Sequence, residues 1–304
     1  MSGVPGMANV GIVAKSHLHQ ATPHLIEVES WLAVRGHETV FETATAMLMP
    51  TKDGRTVADK PALVTRVDLV LVLGGDGTLL SVADCIGAAG VDVPILGVNF
   101  GGLGFLTEAT LPELYPSLEA ALSGRTRIEE RMMLHATTVR EGATLPEHHA
   151  LNDVVITKAA RARMTDLCVS LGDEFVTRVK ADGLIVATPT GSTAYSFSAR
   201  GPIVTPTVPC MVITPIAAHM VFDRSFVLDA GQRVTIDVVG EEMGLVSADG
   251  REALELPVGS RLLIGAAERR ARLVRRDDAP EFLSLVREKF GLPGEPDPGV
   301  GGAG

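Results

Sequence analysis

The sequence predicts an α/β N-terminal domain with a parallel, Rossmann-like sheet, then an all-β sandwich, then a C-terminal helix that returns to the first domain. Three observations carry this reading. Apolar runs alternate with helix-period segments up to about residue 127. Short β-rich runs between turn residues replace that alternation from Ile128 to about Arg276. One amphipathic segment follows, ahead of a Gly- and Pro-rich end. The expected divisions are 1–127, 128–276, 277–292 for the helix and 293–304 for a disordered tail.

In order, Asn9–Ala14 reads as a short apolar strand and Pro23–Arg35 as a helix stopped by Gly36. Glu38–Glu42 is a second strand. The run from Val67 to Leu73 is a buried parallel strand, and the segment after Thr78, from Leu79, is a helix. Pro94–Asn99 is another strand, and a helix from about Leu111 to Leu122 ends at Gly124. The β-rich runs are 134–140, 154–157, 167–171, 175–180, 184–187, 211–214, 233–239, 245–248, 262–264 and 271–274. Gly172-Asp173 and Asp249-Gly250 read as hairpin loops. Asp278 to Glu281 has the shape of a capping box, after which Phe282, Leu285, Val286 and Phe290 share one apolar face.

Composition narrows the function. Of the 304 residues, 46% are hydrophobic, enough for a sizeable core. A formal net charge of −10 without a dense Lys/Arg cluster argues against nucleic acid as the main partner. Aromatics at 4% argue against base-stacking platforms. Cys85, Cys168 and Cys210 are far apart and suit free thiols in a reducing cytosol. No signal peptide and no membrane span are expected, so the expected location is cytoplasmic.

Four segments are polar or glycine-rich where packing does not demand it. The first is Gly74-Gly75-Asp76-Gly77-Thr78, between strand and helix. Its amides favour phosphate. A carboxylate there repels phosphate, so Asp76 binds a sugar hydroxyl, accepts its proton, or helps hold Mg²⁺. The second is Asn99 with Gly101, Gly102 and Gly104. Both loops follow strands and could share one crevice. The third is Asn152-Asp153, either a simple turn or a grip on a ribose diol or adenine edge. The fourth runs from Lys180 through Asp182 to Ser198, an apolar strand leading into a cluster of hydroxyls with a helix start near Ser192. His148-His149 reads as a solvated loop, and His219 as a histidine near the site or simply a structural one.

These segments resemble the bacterial NAD kinases. The resemblance rests on the GGDGT loop at 74–78, the run Asn99 to Leu106, the Asn-Asp pair at 152–153 and the run Asp182 to Ser198, and it extends from about Asn9 to Gly291. It implies transfer of the terminal phosphoryl group of ATP, or of polyphosphate, to the 2′-hydroxyl of the adenosine ribose of NAD, giving NADP. Asp76 matches the residue that takes the hydroxyl proton, and Gly77 a backbone contact to NAD. Asn152 and Asp153 match ribose and adenosine contacts, and Thr193, Ala194, Tyr195 and Ser198 the adenine pocket. Lys180 and Asp182 match contacts to NAD that a neighbouring subunit can supply. Gly74, Gly75, Thr78, Gly101 and Gly102 form the phosphate-facing backbone. The expected cofactor is a divalent metal, Mg²⁺, held through donor phosphates with no dedicated protein ligands. A homodimer or homotetramer is implied.

The chain departs from the family pattern at Arg200, Ala218 and Ser225, and also at Ser81 and Arg251. If residue 200 needs a left-handed angle, arginine there costs about 1–2 kcal/mol. Two other readings stay open: a lipid kinase of the diacylglycerol type, which shares the GGDGT loop, and a nucleotide-binding regulator that has lost catalysis.

Overall fold

The computed structural model describes residues 7–102, 104–107, 109–140, 143–159, 163–218, 224–251 and 254–293. Leu103, His219 and the end from residue 294 lie outside the described residues.

Among the described residues, eight strands form the first sheet. Its order is Thr56–Ala58, Glu38–Glu42, Asn9–Ala14, Leu69–Leu73, Pro94–Asn99, Ala271–Arg275 and Arg127–Arg131, with Ala109–Thr110 paired beside Pro94–Asn99. Every pairing is parallel except the last, where Arg127–Arg131 runs antiparallel to Ala271–Arg275. Leu69–Leu73 is buried along its whole length, as its continuous apolar run requires. Alternate side chains serve opposite faces. Val10, Ile12, Leu69 and Leu71 pack on Leu25, Val28 and Leu32 of the Thr22–Val34 helix. Val13, Val70 and Val72 pack on Leu79, Val82, Ala83 and Ile86 of the Asp76–Ala89 helix.

Among the described residues, two antiparallel sheets of six strands make up the sandwich. One contains Asp153–Lys158, Gly183–Ala187, Cys210–Ile216 and Gly244–Ala248. The other contains Leu134–Arg140, Ala143–Ala150, Thr165–Leu171 and Arg261–Ala266. Leu134, Leu167, Ile236 and Leu262 from one sheet meet Ile156, Val186 and Val246 from the other in a single core.

Four expectations change. Ala271–Arg275, grouped by sequence with the β-rich region, lies in the parallel sheet between Pro94–Asn99 and Arg127–Arg131. His148 and His149 belong to the strand Ala143–Ala150 rather than a solvated loop, and the His149 ring lies 5.0 Å from that of His135. The capping box at Asp278 does not form. The Asp278 carboxylate accepts from Arg276 Nε at 2.8 Å instead, and Glu281 occupies the N-cap position of the Phe282–Phe290 helix. In place of one helix near Ser192 there are two single turns, Thr190–Thr193 and Tyr195–Ser198.

The C-terminal helix buries Leu285 and Val286. Its Phe290 ring lies 5.9 Å from Phe105 in the α/β region and 4.1 Å from Phe197 beside the sandwich. The helix therefore touches both halves of the chain. No helix of the described residues is long and apolar enough to cross a membrane.

Candidate active site

The strand order reverses between Asn9–Ala14 and Leu69–Leu73, and the carboxyl ends of these strands are where such a sheet opens a ligand crevice. A cleft of about 390 Å³ lies there, lined by Ala14, Lys15, Ser16, Lys60, Gly75, Gly77, Thr78 and Ser81. Gly75 is the N-cap of the following helix and Asp76 its first residue. The first amides of a helix have no partner within it and favour an anion. Lys15 and Lys60 add two cations that the motif reading missed.

Asp76 turns away from this cleft toward the second glycine-rich loop. Its Oδ1 accepts from the Leu106 amide at 3.3 Å, the Thr107 amide at 3.1 Å and the Thr107 hydroxyl at 3.0 Å. Its Oδ2 accepts from the Phe105 amide at 3.0 Å. The two loops thus share one crevice. Gly104 permits the approach, since a Cβ there would run into the Asp76 carboxylate. Asn99 shapes the same loop: its side chain donates to the Gly102 carbonyl at 2.7 Å and accepts from the Gly101 amide at 3.2 Å. That amide is therefore spent within the loop and is not free for phosphate. Gly101 and Gly102 are exposed.

A charged chain of two buried arginines and the half-buried Glu129 leads from Asp76 to the hydroxyl-rich segment. Arg275 is 3% exposed and close enough to Asp76 to feel its charge. Burial pushes the Arg275 guanidinium down to about 10, with Asp76 opposing, so it stays charged at neutral pH. Arg275 pairs with Glu129, and Arg131 pairs with the same carboxylate at 3.0 Å. Arg131 then donates to the Thr190 hydroxyl at 3.2 Å. Arg275, a charged residue ending the β-rich run 271–274, was the available sequence signal; the mostly charged segment 127–131 offered none.

Most hydroxyls of the fourth segment hold the fold. Thr188 donates to the Leu151 carbonyl at 2.6 Å, and Ser192 to the Pro189 carbonyl at 2.6 Å. Ser196 and Thr214 share a bond of 3.0 Å. Thr188, Thr190, Ser192 and Ser196 are buried. Tyr195, Phe197 and Ser198 are exposed, and Thr193 and Ala194 are partly so. Gly191 lies flat against the Asn152 backbone, where a Cβ has no room. Asn152-Asp153 and the hydroxyl segment are therefore one assembly.

Asp153 is 4% exposed. Burial first, then the negative charge of Asp249, push its carboxyl up to about 7, against a bond from the Tyr195 amide. Asp249 accepts from the amides of Leu151, Asn152 and Asp153 at 2.8, 2.8 and 3.1 Å. Burial raises it, and those three amides resist.

Lys180 and Asp182 stand apart. Asp182 precedes the five-residue strand Gly183–Ala187, whose far end pairs with Asp153. Five residues of strand separate the two ends by about 17 Å. Asp182 is held by Lys158 at 2.5 Å. Ser198 lines another cleft, of about 420 Å³, with Arg200, Pro215, Ile216 and Ser225. Arg200 has φ 70°, the left-handed conformation in which arginine is costly.

A glycine loop at the switch point of a parallel sheet, joined to a sandwich that carries its own polar turn, defines the class of two-domain nucleotide-binding proteins. Residues 10–126 match the family model for the ATP-NAD kinase N-terminal domain, and residues 151–276 that for the ATP-NAD kinase C-terminal domain. The chain belongs to the NAD kinase family. It is 42% identical to the NAD kinase of Syntrophotalea carbinolica over 286 residues, covering 94% of this chain and 99% of that one. It is 43% identical to the NAD kinase of Geobacter sulfurreducens, covering 93% and 98%. The crystal structure of yeast NADH kinase complexed with NADH superposes with a TM-score of 0.84 at 26% identity, covering 96% of this chain and 89% of that one. An NAD kinase from Archaeoglobus fulgidus, at 24% identity and a TM-score of 0.73 over 94% and 100% of the two chains, has the same fold.

Proposed function

We propose that the protein transfers the terminal phosphoryl group of ATP to the 2′-hydroxyl of the adenosine ribose of NAD, giving NADP and ADP, a step of NADP biosynthesis in the cytoplasm. One observation carries this reading: the Asp76 carboxylate is held by four donors between two glycine-rich loops, beside a cleft lined by amides and lysines.

The donor phosphates enter the 390 Å³ cleft. The amides at Gly75 and Gly77, the Thr78 hydroxyl and the ammonium groups of Lys15 and Lys60 face them. Because Gly101 spends its amide on Asn99 and Gly74 spends its own on the Val98 carbonyl at 2.9 Å, neither is free as expected, and phosphate recognition falls mainly on Gly75, Gly77 and Thr78. The cleft lining carries lysines, glycines and hydroxyls rather than carboxylates. Among the described residues no group of three or more His, Cys, Asp or Glu could hold a metal. A divalent cation there would be held by the donor's own phosphate oxygens and would supply charge neutralisation.

A carboxylate offers about four acceptor sites over its two oxygens. Oδ1 already takes three bonds and Oδ2 only one, so Oδ2 is the atom with room for the ribose hydroxyl. The 2′-oxygen bonds to the terminal phosphorus as the bond to the bridging oxygen breaks, and the hydroxyl proton passes to Oδ2. The loose transition state makes positioning and charge neutralisation the main terms. Gly77, Asn152, Asp153, Thr193, Ala194 and Tyr195 hold the adenosine half. Lys180 and Asp182 lie far from Asp153 in their own subunit and serve the dinucleotide of a neighbour in a homodimer or homotetramer.

The test uses purified protein, NAD, Mg²⁺ and either ATP or polyphosphate, with product read by a strictly NADP-dependent dehydrogenase. NADP formation is expected. NAD binding without NADP from either donor, or phosphorylation of a lipid diol in place of NAD, would overturn the assignment.

A further inference from the structure

The hairpin tip at 248–251 faces two ways. Asp249 and Gly250 both take left-handed angles, φ 51° and 67°. The Asp249 carboxylate grips the backbone of Leu151, Asn152 and Asp153. Two residues on, Arg251 reaches elsewhere. Its Nη2 donates to the His149 carbonyl at 2.6 Å, its Nε to the Ala248 carbonyl at 3.0 Å, and its Nη1 pairs with the Asp84 carboxylate. Asp84 lies on the helix that begins at Asp76, about 12 Å further along its axis. Gly87, on the next turn, lies against the His149 ring with no room for a Cβ. The side chains of Arg251 and Asp84 are only 32% and 22% exposed, so solvent ions screen the pair weakly.

One short hairpin therefore holds both the helix that carries Asp76 and the turn that carries Asn152-Asp153. We propose that Arg251 and Asp84 are positioning residues that set the distance from Asp76 to the acceptor ribose. The inference rests on the NAD kinase reading of the site. A helix moves as a rigid rod, so a shift at Asp84 is felt at its first residue. Neither side chain lines the donor cleft, and neither is among the residues assigned to the adenosine half of NAD, so their loss acts on alignment rather than on a direct substrate contact.

The experiment compares full-length Arg251→Gln, Asp84→Asn and the double variant with wild type, using NAD, ATP and Mg²⁺. Misalignment by a fraction of an ångström costs each single variant about tenfold in kcat. NAD affinity by calorimetry and KM for NAD stay at wild-type values, and the double variant loses no more than either single one. Retention of wild-type kcat by the single variants overturns the proposal. So does a loss that falls on KM, or losses that multiply in the double variant. If Arg251→Gln does not fold, Asp84→Asn alone decides. An Asp76→Asn arm separates the two failures: normal turnover there rejects the site reading itself, whereas an inactive Asp76→Asn beside a fully active Arg251→Gln rejects only the coupling.

Discussion

Asp76 was legible in the sequence because an acidic residue among the glycines of a strand-to-helix turn has no packing explanation. Its partners were not. Three of its four bonds come from backbone amides of residues 105–107, and amide direction depends on the loop's path rather than on side-chain identity. Asp249 was hidden for a related reason, since Asp-Gly is the usual sequence of a tight hairpin and shows nothing of the three amides its carboxylate takes. At Asp153, burial produces a pH dependence. An exposed aspartate ionises near pH 4, whereas Asp153 in the folded chain does so at about 7. The folded state thus binds the extra proton between these values, and the stability this contributes is lost as pH rises through about 7. Asp153→Asn removes the buried charge. Its melting temperature relative to wild type is therefore expected to be higher at pH 8 than at pH 5, and thermal melts at the two values check this.

At the scale of elements, the strands were read closely where apolar periodicity was unbroken. Leu69–Leu73 and Leu134–Arg140 are examples. Arg127–Arg131 escaped because its sequence, Arg-Ile-Glu-Glu-Arg, is mostly charged, although Arg131 is 4% exposed and paired to Glu129. Thr190–Ser198 breaks into two short turns because Ala194, at φ −99° and ψ −126°, is not helical. Arg200 closes the second turn, its amide donating to the Phe197 carbonyl at 2.9 Å from a left-handed backbone. Arg200→Gly relieves that strain and is expected to raise unfolding free energy by about 1 kcal/mol in urea titration, with little change in NAD affinity. The Lys15 and Lys60 contributions belong to this scale too, since one follows a strand and the other opens the Lys60–Val64 helix. Each charge-assisted bond to phosphate is worth about 1.5–3 kcal/mol. Lys15→Ala and Lys60→Ala are each expected to raise KM for ATP about tenfold while KM for NAD holds, as steady-state kinetics with both substrates would measure.

For the whole molecule, the sequence showed an α/β part, a sandwich and a final helix, but not how they interleave. Parallel pairing of Ala271–Arg275 with Pro94–Asn99 joins strands far apart in the chain, and no local pattern encodes such a partner. That return crossing brings Arg275 beside Asp76 and lets Glu129 bridge it to Arg131 and the hydroxyl-rich segment. The C-terminal helix fastens the same region through Phe290, between Phe105 and Phe197. The proposed phosphoryl-transfer site thus draws on both parts of the chain, and the account turns on the carboxylate at their junction. Turnover of NAD by Asp76→Asn, with NAD binding measured on the same preparation, tests this most directly. Binding is expected to persist while kcat falls by about 10²–10⁴. A variant that binds NAD and turns over at the wild-type rate would contradict it.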